Sequence, residues 1–294
     1  MKLYIKDQMV LPVLESVRLG KTRNDAAAIL TASLLLAPAD TYFQTLSLAV
    51  GDPVRLLDDS GGELFLGSVH QIDRTEDRVR LTAYDRGVYL TRNELHGLFL
   101  GSGAEIAAQA AGKLGIPLGK VEADGQYKVI VSRAGRSAFS ILRQAVGEGR
   151  EISVQNGALT VSAGGGEPVP LAPEAVLSVS SRAGIGGMVN RCVVLGRNGR
   201  AVSQARNAGD IAAYGQFQRV RLKSGESPAE YLRGRTMSAR VTLLGDLRLR
   251  CGGRAEAGGS ELFRAWGLSG VYTVTAAEHV WEKGLFTTSV SLEA

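Results

Sequence analysis

The side chains that could do acid–base or metal chemistry are few and lie far apart in the sequence. There are three histidines, His70, His96 and His279, and no two of them lie at the spacing of metal ligands. The two cysteines, Cys192 and Cys251, form no C-x-x-C pair. We therefore predict no metal site, and we interpret the cysteines as small buried side chains in a reducing compartment.

Catalytic and cofactor-binding motifs are missing from the sequence. A hydrolase needs a nucleophile beside a base, or two paired carboxylates. The acidic pairs Asp58-Asp59 and Glu76-Asp77 fall in predicted turns, where acids are usually solvated. The run Gly101-Ser102-Gly103 could begin a dinucleotide-binding loop, but the third small residue of that motif would fall on Ile106, whose side chain blocks close packing of helix on strand. We predict no catalytic residue, no cofactor and no enzymatic activity.

Positive charge is concentrated in the last part of the chain. Residues 181–294 carry 16 basic and 9 acidic side chains, whereas the preceding residues carry 18 and 20. The pairs Arg233/Arg235 and Arg248/Arg250 would each face one side of a strand and could follow a phosphate backbone. Because base-stacking aromatics are not interleaved with these arginines, a docking surface for an acidic protein is favoured. A basic nucleic-acid-binding module stays the alternative.

The elements that must position these residues are mainly strands. Val79, Leu81 and Ala83 alternate with polar residues, which is typical of a half-buried strand. The polar run 58–62 predicts a hairpin turn. The sequence has 37 glycines, which are scattered and aperiodic, as expected for many turns between short strands.

The residue pattern changes in the middle of the sequence, where signals for helices appear. Ser102 and Glu105 stand three apart before an alanine-rich run and predict a capping box at the start of a helix. A second helix is predicted over 137–146. Asn156-Gly157, between two apolar runs, predicts a β-hairpin. Strands return after a glycine- and proline-rich linker, with one short helix expected over 229–233.

These patterns predict a mainly β protein in which two β modules, each a barrel or a sandwich, flank a small α+β insert. The predicted first β module covers 1–97, the insert 98–172 and the second β module 173–294. The N-terminus lacks the apolar core of a signal peptide. The longest apolar stretch, 26–39, is shorter than the roughly 20 residues that cross a bilayer. We expect a protein made in the cytoplasm without a membrane anchor.

Three stretches resemble the XkdQ/YqbQ-type tail hub family of phages and phage-tail-like bacteriocins. The first is the hairpin 51–69, the second is the box 83–94, AYDRGVYLTRNE, and the third is a set of C-terminal strands and turns between 213 and 292. The residues that carry the resemblance are Gly51, Asp52, Phe65, Gly67, Tyr84, Asp85, Arg86, Tyr89, Asn93, Gly215, Arg248, Arg250 and His279.

The resemblance implies a structural baseplate hub of a contractile tail or tail-like injection particle. Such a hub is a homotrimer that adapts a sixfold tail tube to a threefold central spike. Each of its subunits has two β-barrel domains, which the resemblance places at 1–97 and 173–294. The implied partners are further copies of the chain, a tail tube or tube-initiator protein, the spike and a tape-measure protein, with nucleic acid only in transit. The hub would be assembled in the bacterial cytoplasm and become part of the virion or released particle. Box 83–94 could serve a contact between neighbours; the other interpretation makes Tyr84 and Tyr89 strand aromatics of a barrel core. A tail-associated peptidoglycan hydrolase is the less favoured function.

Overall fold

The computed structural model describes residues 1–10, 13–35, 47–147, 149–222 and 227–294. Strands make up 52% of the chain and helices 17%, and the sheets are curled. The predicted mainly β fold class is therefore confirmed. Within the described ranges no helix is long and apolar enough to cross a membrane.

The N-terminal part is a run of antiparallel strands. Its elements are β1 (Lys2–Ile5), β2 (Gln8–Met9), β3 (Leu14–Thr22), β4 (Ile29–Leu35), β5 (Pro53–Leu57), β6 (Glu63–Arg74), β7 (Arg78–Asp85) and α1 (Val88–Arg92). Their order in the sheet is β3-β4-β7-β6-β5-β1-β2. The predicted alternation in β7 is confirmed, because Val79, Leu81 and Ala83 are all buried. The apolar stretch 26–39 includes β4, and its residues 36–39 lie outside the described residues.

The elements of the insert form where the local sequence patterns predict them. Its elements are β8 (Glu94–Gly101), α2 (Gly103–Leu114), β9 (Leu118–Val121), β10 (Lys128–Ser137), α3 (Ala138–Val146), β11 (Glu151–Gln155) and β12 (Ala158–Ser162). The capping box is confirmed, since the Ser102 hydroxyl accepts from the Glu105 N–H and the Glu105 carboxylate accepts from the Ser102 N–H. Asn156 and Gly157 join β11 to β12 with φ angles of 49° and 75°. Both are positive, as a type I′ hairpin requires.

One apolar core holds the insert together. The helix predicted over 137–146 is confirmed as α3, with Ser137 as its N-cap. Ile141 and Leu142 of α3 are buried in this core with Phe99 of β8 and Ile130 of β10. The two helices therefore lie over the sheet formed by β8 and β10, and they cover one of its faces.

The C-terminal part is again mostly β. Its elements are β13 (Val169–Pro170), β14 (Val176–Gly184), β15 (Arg191–Leu195), β16 (Ala201–Arg206), α4 (Ala208–Tyr214), β17 (Gln218–Leu222), β18 (Thr236–Leu244), β19 (Arg254–Ala257), α5 (Glu261–Ala265), β20 (Gly270–Glu282) and β21 (Leu285–Glu293). The helix expected over 229–233 is instead a single 3-10 turn, Pro228–Tyr231, with Ser227 as its cap. A segment this short gains too few hydrogen bonds to offset the cost of starting an α-helix.

The chain divides by its contacts into two compact units. The large unit contains residues Met1–Val179 and Arg240–Leu292, and the small unit contains Ser180–Ala239 with Glu293–Ala294. The small unit is built on a three-stranded sheet in the order β16-β15-β17. The predicted domain boundaries at residues 97 and 172 are not the boundaries of these two units, and they stay a prediction.

The two ends of the chain meet in one sheet of the large unit. β20 pairs antiparallel with β3, from Ala276 opposite Thr22 to Glu282 opposite Ser16. β3 pairs on its other side with β4. The C-terminal strands β21 and β20 are therefore continuous with the N-terminal strands through β3.

Gly67 of β6 has no room for a side chain beside β7. A Cβ atom at this position would lie 2.2 Å from the Tyr84 carbonyl oxygen and 2.6 Å from the Phe65 ring. Since a carbonyl within a paired strand cannot move away alone, any side chain here would push β6 from β7.

We expect Gly67→Ala to lower the free energy of unfolding by about 2–3 kcal/mol, because the added methyl group overpacks the β6–β7 contact. Gly112→Ala is the matched control, since a Cβ at this position in α2 meets nothing within 4 Å. It should raise stability by up to about 1 kcal/mol. Urea unfolding of both variants measures the difference, and an unchanged midpoint for Gly67→Ala would contradict the steric explanation.

Candidate functional site

The box 83–94 forms a tight turn between β7 and α1. Asp85 is the last residue of β7, and its buried carboxylate accepts a hydrogen bond from the Gly87 N–H at 2.8 Å. A Cβ at Gly87 would lie 2.3 Å from the Ala26 carbonyl oxygen. Asp85 and Gly87 therefore fix the path of the chain as it leaves the first sheet.

Asn93 joins the box to the insert. Its backbone N–H and its side-chain amide both donate to the Tyr89 carbonyl oxygen, at 3.2 and 2.9 Å, and so close the C-terminal end of α1. The Asn93 carbonyl oxygen accepts from the Ala138 N–H, the first residue of α3, at 3.0 Å. Asn93 thus ties α1 to the start of α3.

The two tyrosines of the box have different roles. Tyr84 is half-buried in β7 and meets His70 edge to face, with ring centroids 5.1 Å apart. Tyr89 lies on α1 and is 41% exposed, and Arg86 is exposed beside it in the chain. The interpretation of Tyr89 as a strand aromatic in a barrel core is wrong, because the turn at Gly87 starts a helix. Arg92, Asn93 and Glu94 at the end of the box are exposed as well.

The hairpin 51–69 supports the first sheet. The buried Asp52 carboxylate accepts from the Ala49 N–H at 2.7 Å and lies 3.1 Å from the Lys6 ammonium. Gly51 has a φ of +93°, which favours glycine at this turn. Phe65 is buried, so the hairpin residues that resemble the family mainly hold the strands in register.

The predicted strand around Arg248 and Arg250 is wrong. Both arginines lie in a loop between β18 and β19, where the Leu249 N–H donates to the Asp246 carbonyl and the Gly253 N–H donates to the Arg250 carbonyl. These successive turns replace a strand. Arg248 forms a two-point ion pair with Asp246, with nitrogen–oxygen distances of 3.0 and 2.7 Å.

The prediction that Arg233 and Arg235 lie on one strand is wrong as well. Arg233 makes an isolated β-bridge with Val189, and Arg235 precedes β18. Gly215, in the small unit, ends α4 with a φ of +83°, and its carbonyl oxygen accepts from the Asn190 side-chain amide at 2.6 Å.

His279 is confirmed as a strand residue, and its environment keeps it neutral. It lies buried in β20, with Nδ1 3.0 Å from the Thr288 hydroxyl, which itself accepts from the Asp246 N–H. Burial, together with the charge of Arg250, lowers the pKa of His279 to about 4. The imidazole is therefore uncharged at neutral pH.

A cavity of about 380 Å³ in the large unit brings several of these residues together. Phe65, Asp85, Arg250 and His279 line it, although the sequence stretches that contain them are far apart. The remaining residues that carry the family resemblance lie elsewhere.

Three residues that the sequence reasoning missed line the same cavity: Lys21, Glu151 and Cys251. The Lys21 ammonium donates to the Asp25 carbonyl at 2.9 Å, to the Ala26 carbonyl, and to the Ile152 carbonyl of the insert at 3.3 Å. It also lies 3.8 Å from the Glu151 carboxylate. One side chain of β3 thus holds a loop of the first sheet and a strand of the insert.

A signal for this cluster exists in the sequence. Lys21 continues the buried alternation of Val17 and Leu19 in β3, and Asp85 continues that of Leu81 and Ala83 in β7. A charged residue at the buried phase of a strand must meet a partner in the interior.

Burial dominates the electrostatics of the cluster. It raises the pKa of Asp85 to about 6, with Lys21 acting in the opposite direction. It also raises the pKa of Glu151 and lowers that of Lys21. Burial and the neighbouring Glu151 raise the pKa of the Cys251 thiol to about 12. A thiol that stays protonated is a poor nucleophile, so this arrangement is suited to holding elements together and not to covalent chemistry.

The buried imidazole predicts a pH-dependent stability. Between pH 6.5 and 4 the unfolded chain protonates its histidine while folded His279 stays neutral, so acidification removes up to about 3 kcal/mol of stability. In His279→Asn this loss is absent, and the stability of the variant relative to wild type should rise by about that amount from pH 7 to pH 4. Comparing variant with wild type cancels the opposite slope from Asp85.

Urea unfolding at several pH values measures this difference. His96→Asn is the matched control, because it is the same substitution at an exposed histidine of β8. A constant offset between His279→Asn and wild type from pH 7 to pH 4 would contradict a neutral buried imidazole.

Solved structures of tail proteins share this fold at low sequence identity. The 43 kDa tail protein of prophage MuSo2 from Shewanella oneidensis matches with a TM-score of 0.72 at 12% identity, over 99% of this chain and 96% of that one. The tail protein from Neisseria meningitidis MC58 matches with a TM-score of 0.71 at 11% identity, over 100% of this chain and 95% of that one.

A secretion-system protein has the same fold. A component of the E. coli type VI secretion system, itself structurally similar to T4 bacteriophage tail proteins, matches with a TM-score of 0.59 at 10% identity. This match covers 99% of the present chain and 76% of that one. No curated protein matches the chain by sequence.

The family model described as YQBQ-like matches residues 17–293. This range includes the hairpin, the box and the C-terminal strands on which the family resemblance was based, so the resemblance is confirmed. Because the match spans nearly the whole sequence, the chain belongs to the YQBQ-like family.

Proposed function

We propose that the protein is a structural baseplate hub of a contractile tail or tail-like injection particle, in which a homotrimer adapts a sixfold tail tube to a threefold central spike. The observation that carries this proposal is the family match over residues 17–293, together with the likeness to two tail proteins over 95% or more of their length. The same fold in a type VI secretion component is consistent with a spike as partner.

The cavity of the large unit supports a role without catalysis. The cavity holds a Cys251 thiol with a pKa of about 12, a His279 imidazole with a pKa of about 4 and an Asp85 carboxyl with a pKa of about 6. General acid–base catalysis works best with a group whose pKa is near the working pH. The thiol and the imidazole are far from that condition. The Asp85 carboxyl lies nearer to it, but it accepts from the Gly87 N–H and fixes the turn after β7. A hub subunit needs only stable elements and surfaces for its neighbours.

A sheet face on the insert is suited to contact with another copy of the chain. β8 and β10 pair so that Phe99 lies opposite Ile130, and both are buried against the helices. On the other face, apolar side chains from both strands are exposed. They are Leu98 at 55%, Leu100 at 39%, Val129 at 59% and Val131 at 52%.

This exposed apolar face would favour association. A contiguous apolar face on a sheet is unfavourable in water and marks an interaction site when it persists. In a closed ring of subunits each such face is covered by a neighbour. We therefore assign the β8–β10 face to contact between subunits of the trimer, and the exposed Arg86 and Tyr89 to the same class of contacts. Tail tube or tube-initiator, spike and tape-measure proteins are the other partners of the proposed hub.

The double variant Val129→Asp/Val131→Asp should weaken self-association at least about tenfold, because two carboxylates would have to be desolvated in the contact. Light scattering coupled to size exclusion measures the oligomer, with a mass of three subunits expected for wild type alone or with tube or spike protein. Circular dichroism checks that the variant is folded.

Leu285→Asp is the matched control, since Leu285 is 52% exposed and lies at the start of β21. It should leave the trimer intact. A wild type that stays monomeric alone and with both partners would refute the hub proposal. A trimer that tolerates the double variant would refute only the assigned face.

A further inference from the structure

The net positive charge of the C-terminal part comes from the small unit. Residues 180–239 carry 10 basic and 3 acidic side chains, whereas residues 240–294 carry 6 of each. Of the two arginine pairs that the sequence suggested as a docking surface, Arg248 and Arg250 thus belong to a segment without net charge. Arg248 is moreover already paired with Asp246.

The arginines of the small unit have no carboxylate partner among the residues that the structure describes. None of those that the structure describes takes part in an ion pair between described residues, whereas arginines of the large unit such as Arg18, Arg78 and Arg240 do. The Arg191 guanidinium donates instead to the neutral side chains of Gln204 and Gln216, at 3.2 Å each. The positive charge of this unit is left for an external partner.

The register of the small sheet places like charges side by side. Arg191 of β15 lies directly opposite Arg206 of β16. Like charges directly opposite each other destabilise a strand pair. The folded unit therefore carries an unfavourable contact that an anionic partner would relieve.

The alternation of the strands defines one outward surface. In β15, Cys192 and Val194 are buried, so Arg191, Val193 and Leu195 point to the opposite side. We call this side the outer face. The register places further residues of the neighbouring strands on it: Gln204 and Arg206 of β16, and Gln218, Val220 and Leu222 of β17.

The outer face is divided into a polar and an apolar end. Arg206, Arg191 and Gln218 form a row across the three strands at one end. Further along β17, two and four residues after Gln218, the face is apolar. Val220 is 49% exposed there and Leu222 is 73% exposed. Arginine next to exposed apolar side chains is typical of protein interfaces.

We propose that the outer face binds an acidic protein segment that carries apolar side chains beside its carboxylates. The carboxylates would form planar two-point contacts with Arg191 and Arg206, while the apolar side chains would cover Val220 and Leu222. That the partner is another component of the tail depends on the hub proposal, whereas binding of an acidic, partly apolar segment does not.

The apolar end disfavours a nucleic acid as the partner. Protein–DNA interfaces are more polar than protein–protein interfaces, and their contacts go mostly to phosphates and sugars. Val220 and Leu222 offer nothing to a phosphate. A polyanion bound by charge alone would also leave these side chains exposed.

Binding to the full chain can be followed by fluorescence anisotropy at low ionic strength with labelled probes. These are a peptide of alternating Glu and Val, a peptide of alternating Glu and Ser, and a short DNA duplex. We expect the Glu/Val peptide to bind most tightly. Arg191→Gln/Arg206→Gln should weaken its binding about tenfold or more. Val220→Ser/Leu222→Ser should weaken binding of the Glu/Val peptide and leave that of the Glu/Ser peptide unchanged.

Arg240→Gln is the matched control, because Arg240 is an exposed arginine of the large unit that is paired with Glu278, and its replacement should leave peptide binding unchanged. Thermal unfolding separates binding from folding: Arg206→Gln should have a melting midpoint no lower than wild type, since it removes the repulsion with Arg191. No binding of the Glu/Val peptide, or tighter binding of the DNA, would overturn the proposal. Neither result affects the trimer, which the light-scattering experiment tests separately.

Discussion

The pairing of β20 with β3 is the interaction on which the rest of the large unit depends. It joins residues 276–282 to residues 16–22 and makes the N-terminal and C-terminal strands parts of one sheet. The insert emerges from this sheet through the turn after β7, and Lys21 at the end of β3 binds it a second time through the Ile152 carbonyl oxygen. Without this pairing the first strands and the last strands would each have an uncovered edge.

The charged groups around the cavity orient the chain segments that surround it more than they stabilise the fold. Burying Lys21, Asp85 and Glu151 carries a desolvation cost that their mutual attraction only partly offsets, as the raised carboxyl pKa values show. Apolar side chains of similar size could fill the same space. Charges add a fixed orientation, because the Lys21 ammonium donates to the carbonyl oxygens of two segments, the loop at Asp25 and Ala26 and the insert strand at Ile152.

Local signals in the sequence were sufficient for much of the fold. The capping box at Ser102 and the turn at Asn156-Gly157 depend on neighbours in sequence, and they were predicted correctly for that reason. The Lys21 cluster was missed because its partners are as many as 131 positions away. The strand expected at Arg248 failed because spacing at i and i+2 does not by itself specify a strand, and the turns that end at Gly253 bend the chain there.

The junction of the two chain ends also sets an order for folding. β3 is made well before its partner strand β20, because the insert and the small unit lie between them in the sequence. The edge of β3 therefore stays uncovered throughout synthesis of the insert and the small unit. Contacts of such long sequence separation form slowly, and uncovered strand edges promote aggregation in the meantime. The insert, whose apolar core is drawn largely from residues 90–161, can form before the sheet that carries it is complete.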